Sequence, residues 1–215
     1  MKAMILAAGI GSRLRPLTDH TPKPLLPIKN KPLIEILIEQ LEAAGFRSLV
    51  VNLHHLGHQI QEHLKDGSRY NVNIEYSIEN QLLETGGGIK KALNLLDKEP
   101  FIIVNGDIYT DFDFSTLPKA LPKDSLAHLV VKKRGKGQTG DFSIKNNEIK
   151  SRGNQYIYCG IALMSPELFL NSPDGPFSWT RDWLFGLLGK RRFTSQEHRG
   201  NWTDIGTLEQ YQSIQ

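Results

Sequence analysis

Gly9, Gly11, Arg13, Arg15 and Lys23 crowd into one short stretch of this chain, residues 3–27. Glycine admits positive φ and puts no Cβ between backbone and ligand. A Gly-x-Gly turn can therefore aim successive N–H groups at phosphate oxygens. Arginine adds a planar fork suited to bidentate phosphate binding. Pro22 and Pro24 flank Lys23 and stiffen its segment, which holds one ammonium in place. Two acids stand far along the chain, each beside a glycine: Asp107 after Asn105-Gly106, and Asp204 between Trp202 and Gly206. Asp107 comes just past an apolar run, and in a parallel sheet that position faces the ligand-binding edge. It would also serve as a turn residue capping the next segment.

A sheet is needed to bring such distant residues together. Residues 3–8 are apolar and the right length for a buried strand. From Pro32, Leu33, Ile34, Leu37, Ile38 and Leu41 recur at helical spacing, and Gly45 marks the stop. Residues 48–52 read as a second buried strand, which makes a βαβ unit with a right-handed crossover. Residues 73–77 and 101–104 continue the strands, the latter most clearly. Between them, Thr85 and three glycines, 86–88, suggest a loop opening a helix at Ile89. That loop is a flexible turn or a place of close backbone approach to a flat ligand, such as a nucleobase and ribose.

Further on, residues 126–132 form a strand and 132–138 a basic, solvated loop. A hairpin turn falls at Lys145-Asn146-Asn147, between 142–144 and 148–150. The strand at 156–164 is broken by Gly160, where a bulge or a close ligand approach is expected. Short helices start at Ser165 and span 180–188, and Thr207 can cap the last one. Asp111 and Asp113 read as turn or cap residues. His54 and His58 lie four apart and one helix face could present both to a metal, but no cysteine or suitably spaced acid accompanies them. Solvated or packed histidines are the favoured reading.

With 215 residues, 39% of them hydrophobic, the chain can bury a sizeable core as one domain. A net charge of +3 is too small to argue for nucleic acid. The single cysteine, Cys159, excludes an intrachain disulfide and suits a reducing, cytoplasmic setting. No signal peptide or membrane span is expected.

The glycine loop lacks the third glycine of a dinucleotide fingerprint, since Leu14 stands there, and no Walker lysine follows. The full pattern Leu-Ala-Ala-Gly-x-Gly-x-Arg-Leu-x-Pro-Leu-Thr, then Pro-Lys-Pro-Leu-Leu-Pro, is far more specific. It resembles the signature of sugar-1-phosphate nucleotidyltransferases. Thr-Gly-Gly-Gly, Asn-Gly-Asp and Trp-Thr-Asp-Ile-Gly-Thr follow in the family's order, up to residue 207.

The resemblance implies a Rossmann-like α/β fold, a mostly parallel central sheet flanked by helices, with a small sugar-binding lobe. Residues 1–132 would mainly bind nucleotide; residues 133–215 would form the lobe and return to the sheet. Ala8, Gly9, Gly11, Arg13, Glu79, Thr85 and Gly86 would bind the nucleoside triphosphate. Lys23, Asn105, Asp141 and Gly160 would bind the sugar-1-phosphate. Asp107 and Asp204 would hold magnesium, and Arg13, Lys23 and Asp107 would be catalytic. Within the family the chain is most similar to the bacterial N-acetylmuramate-1-phosphate uridylyltransferases of peptidoglycan recycling. Mannose-1-phosphate guanylyltransferases and glucose-1-phosphate-type enzymes are the alternative, and a non-catalytic nucleotide-sugar-binding module a lesser one. A monomer or weak homo-oligomer is the expected state. The longer enzymes' Glu-Lys-Pro motif is missing: Ile149-Lys150-Ser151 lies roughly in its place.

Overall fold

The computed structural model describes residues 1–215. The chain runs β1 (Ala3–Leu6), β2 (Pro27–Ile28), β3 (Lys31–Pro32), α1 (Leu33–Ala43), β4 (Ser48–Leu53), α2 (Gly57–Leu64), β5 (Asn73–Ile78), α3 (Glu84–Ala92), β6 (Phe101–Asn105) and β7 (Ile108–Thr110). It continues through β8 (Ser125–Lys133), β9 (Phe142–Lys145), β10 (Glu148–Arg152) and β11 (Tyr156–Met164). A π-helical turn, Trp179–Leu184, runs into α4 (Phe185–Leu187), and β12 (Arg192–Glu197), β13 (Trp202–Asp204) and α5 (Leu208–Gln212) complete the chain.

Nine strands share one sheet in the order β5-β4-β1-β6-β11-β8-β12-β10-β9. β5, β4, β1 and β6 are parallel, as are β8 and β12. β11 is antiparallel to both β6 and β8. From β1 the chain moves outward through β4 to β5, then crosses back to place β6 on the other side of β1. The strand order therefore reverses between β1 and β6, and a crevice opens beyond their carboxyl ends.

Period-two alternation divides the core between the two faces of the sheet. Ala3, Ile5, Ile102 and Val104 face one way, against Ile34, Leu37, Ile38 and Leu41 of α1. Met4, Phe101 and Ile103 face the other, against Ile89 and Ala92 of α3 and Trp179. Helix α1 ends as its sequence requires. Gly45 takes φ 93°, its N–H meets Glu42 O at 2.9 Å, and Phe46 N–H reaches back to Leu41 O at 3.0 Å.

Asn146 and Asn147 both adopt left-handed φ, 53° and 58°, which closes the β9–β10 hairpin. Gly160 sits at φ +75°, and the β11–β8 register slips between Tyr158 and Ala162, so the bulge expected there is present. Strands β9 to β12 belong to the same sheet as β1, so the chain beyond residue 133 extends that sheet. Asp113 accepts from Ser115 N–H and caps a short turn. His54 meets Glu79 O, His55 meets Thr18 O, and His63 meets Glu35.

Candidate active site at the β1–β6 edge

A cleft of about 340 Å³ opens beyond β1 and β6, lined by Ala8, Gly9, Asn52, Thr85, Asn105 and Asp107 among others. Five residues singled out from the sequence meet there. The turn after β6 hugs the end of β1: Gly106 N–H donates to Leu6 O at 2.9 Å. A Cβ at residue 106 would lie 2.6 Å from that oxygen, so glycine is required, and the Asn-Gly-Asp spacing throws Asp107 over the edge. Gly11, at φ +68°, turns the loop; a Cβ there would crowd Thr18 at 2.9 Å. Gly9 has open space around it.

Lys23 comes from the short turn at 23–25 and is almost fully buried. Its Nζ lies 2.6 Å from Asp107 Oδ2. Asp204 approaches from β13, which pairs antiparallel with β7, and Ile205 N–H donates to Asp107 O at 2.9 Å. Trp202 anchors that strand by donating from Nε1 to Cys159 O at 2.8 Å. Burial, and then the charge of Asp107, raise the Asp204 carboxyl above the usual range, while Lys23 and Arg13 oppose the rise. Arg13 closes the group: a Cβ at Gly206 would stand 3.1 Å from its Nη2. Arg13 and Lys23 of the glycine loop thus converge with Asp107 and Asp204 from far along the chain. The carboxylates of Asp107 and Asp204 are both oxygen donors, and together with phosphate oxygens of a bound substrate they would suit a hard divalent cation.

The base side departs from the loop expected before Ile89. The triple glycine is not a loop before a helix; it lies inside α3 and is buried. Gly86 N–H donates to Phe177 O at 2.7 Å, and a Cβ at 86 would fall 2.2 Å from the Phe177 ring. Gly86 therefore packs α3 against the C-terminal half and does not line the cleft. Glu79 is only 3% exposed. Its Oε1 accepts from Asn52 Nδ2 at 2.7 Å and its Oε2 from Leu83 N–H at 3.0 Å. Asn52 Oδ1 in turn accepts from Ala7 N–H at 2.8 Å. Glu79 fixes Asn52, and Asn52 forms the floor of the cleft. Thr85 does line it, with its Oγ1 accepting from Trp179 N–H at 3.2 Å.

Asn105 lines the cleft with its Oδ1 buried and unpartnered. Gly160 stands behind it, where a Cβ would lie 2.9 Å from the Asn105 side chain, so Gly160 makes room for Asn105. Asp141 belongs to an adjoining cleft, where its Oδ2 accepts from Tyr158 N–H at 2.8 Å and burial raises its pKa. Arg181 borders both clefts. Asn52, Arg152, Tyr158 and Arg181 carry no local motif and are visible in the structure alone.

The family model described as nucleotidyl transferase matches residues 2–138. This chain belongs to that family. It is 43% identical to the N-acetylmuramate alpha-1-phosphate uridylyltransferase of Neisseria meningitidis serogroup B, over 97% of this chain and 94% of that protein. It is 38% identical to the UTP–glucose-1-phosphate uridylyltransferase of Synechocystis, over 98% of this chain but 61% of that protein. Among solved structures, HddC from Yersinia pseudotuberculosis complexed with GMP-PN superposes with a TM-score of 0.83 at 26% identity, over 99% of this chain and 97% of that one. No helix of the chain is long and apolar enough to cross a membrane.

Proposed function

We propose that this chain transfers a nucleotidyl group from a nucleoside triphosphate to a sugar-1-phosphate and releases pyrophosphate. The observation that carries the reading is the Lys23–Asp107 pair beside Asp204, at the mouth of the Gly9 cleft. The sugar phosphate oxygen attacks the α-phosphorus; the new O–P bond forms as the bond to the β-phosphate oxygen breaks. The attacking phosphate is already ionised and needs no general base. Repulsion between two polyanions is the obstacle, and fixed cations offset it. Lys23, held by Asp107, faces the attacking phosphate and the α-phosphate. Arg13 faces the departing pyrophosphate, where negative charge grows. Asp107 and Asp204 would hold magnesium, which supplies charge neutralisation at phosphate oxygens.

The substrates favoured are UTP and N-acetylmuramate-1-phosphate. Both relatives named above are uridylyltransferases, and the muramate enzyme matches this chain along nearly its whole length. This reading carries with it a cytoplasmic place in peptidoglycan recycling and a monomer or weak homo-oligomer. A matrix of nucleoside triphosphates against sugar-1-phosphates, read by pyrophosphate release, tests it. The largest kcat/KM is expected for UTP with N-acetylmuramate-1-phosphate. Strong turnover of GTP with mannose-1-phosphate and none with the muramate pair would replace it with the guanylyltransferase reading.

A further inference from the structure

Strands β7 and β13 form a two-stranded ribbon outside the main sheet. Asp107 stands immediately before β7 and Asp204 ends β13, so the ribbon brings the two acids together. Asp204 lies opposite Ile108, Thr203 opposite Tyr109 and Trp202 opposite Thr110. Two strands alone make a marginal sheet. A slip of one residue would turn Asp204 to the face that Thr203 now takes, away from Asp107.

A fastening stands at the end of the ribbon far from the acids. Asp111, just past β7, accepts from Asn201 Nδ2 at 2.8 Å through Oδ2, and its Oδ1 lies 3.1 Å from His198 Nε2. Asn201 O accepts from Asp111 N–H at 3.2 Å, from Thr110 Oγ1 at 3.0 Å and from His198 Nε2 at 3.1 Å. Gly200 makes the bend possible, since a Cβ there would fall 2.2 Å from Asp111 Oδ1. The His198 ring is 9% exposed and meets the Phe112 ring edge-on, with centroids 5.4 Å apart. His198 N–H donates to Val131 O at 2.7 Å, which ties the bracket to β8 of the main sheet.

We propose that Asp111, His198 and Asn201 are positioning residues for the cation site: they hold the register of the ribbon and, through it, the approach of Asp204 to Asp107. The inference rests on the shared-cation reading above and adds residues that touch no substrate. Exposed ion pairs contribute little to stability, and the Asp111 side chain is half exposed. Loss of the bracket should therefore show in cation binding more than in melting.

The test titrates each protein with Mn²⁺ alone and follows the free-ion signal by electron paramagnetic resonance, in wild type, Asp111→Ala, Asp111→Asn, His198→Phe and Asp204→Asn. Asp111→Ala should weaken Mn²⁺ binding about tenfold, as is usual when a group that orients a metal ligand is lost. Asp111→Asn keeps an oxygen for Asn201 and should restore part of the affinity. His198→Phe keeps a ring against Phe112 but loses the Nε2 donor, and should weaken binding in the same direction; it carries the test if Asp111→Ala does not fold. In pyrophosphate release, Asp111→Ala should raise the half-saturating magnesium concentration and recover most of kcat once magnesium saturates. Wild-type Mn²⁺ affinity in Asp111→Ala and His198→Phe, whatever their melting temperatures, overturns the positioning role and leaves the shared site intact. Mn²⁺ binding by Asp204→Asn as tight as that of wild type, or no binding by wild type, overturns the shared site and the inference with it.

Discussion

Lys23 Nζ lies 2.6 Å from Asp107 Oδ2, and the two residues stand 84 positions apart in sequence. The lysine side chain is 9% exposed and the aspartate 36%, so the pair spans the boundary between core and cleft. Removing one partner leaves the other without its counter-charge in a partly desolvated place. Lys23→Met should lower the melting temperature by a few degrees, for a loss of about 1–3 kcal/mol. Lys23→Met combined with Asp107→Asn should recover most of that stability and none of the turnover. A double variant that regains activity would make the pair a structural device only.

Arg13 is placed to meet charge that appears as pyrophosphate departs. Contacts stronger in the transition state than in the ground state raise kcat. Arg13→Ala should therefore lower kcat, and not merely raise KM for the triphosphate. Steady-state kinetics at saturating substrate decide the matter: a wild-type kcat with raised KM would confine Arg13 to ground-state binding.

Gly86→Ala separates packing from ligand contact. Its Cβ would fall 2.2 Å from the Phe177 ring, which is itself buried. Overpacking of this kind costs about 1–3 kcal/mol, or several degrees of melting temperature in a chain this size. The expected outcome is a lower melting temperature with KM for the nucleotide little changed in the folded fraction. An unaltered melting temperature with a raised KM would return Gly86 to the nucleotide site.

Glu35 ties α1 to the turn at 68–70. Burial pushes its pKa up, but hydrogen bonds from Tyr70 Oη at 2.7 Å and His63 Nε2 at 2.6 Å outweigh it, so the folded pKa lies below 4.5. The ionised form is thus favoured by folding. Its stabilising contribution is full above the unfolded pKa and is lost as pH falls through the folded value. Glu35→Gln should be less stable than wild type at pH 7, and the gap should narrow below about pH 4. Denaturant titrations of both proteins across that range measure it; a gap that does not vary with pH would assign the effect to shape alone.

The strands and α1 were readable because burial on a sheet face or helix face imposes a period, as at Ala3, Met4 and Ile5 or Leu33 to Leu41. Asp107 was readable for the same reason: an apolar run ending in Asn-Gly-Asp fixes which edge the carboxylate reaches. Gly86 was not. A glycine that opens a loop and a glycine that admits a distant ring look identical locally, and the ring belongs to Phe177. The supporting role of Glu79 was not legible either, since a buried acid that accepts from Asn52 and Leu83 looks like any acid in a polar segment. Arg152 and Arg181 meet through the β10 hairpin and a π-helical turn, and neither leaves a motif.

Asp107 and Asp204 bear the central claim, because they alone bring two carboxylates to the phosphate path. The direct measurement is pyrophosphate release with UTP, N-acetylmuramate-1-phosphate and saturating magnesium, in wild type, Asp107→Asn and Asp204→Asn. Both variants keep the shape of the side chain, and circular dichroism should show both folded. Each should lose at least about two decades of turnover, as for removal of one strong electrostatic contact. An Asp204→Asn enzyme that turns over at the wild-type rate would contradict the shared role of the two carboxylates.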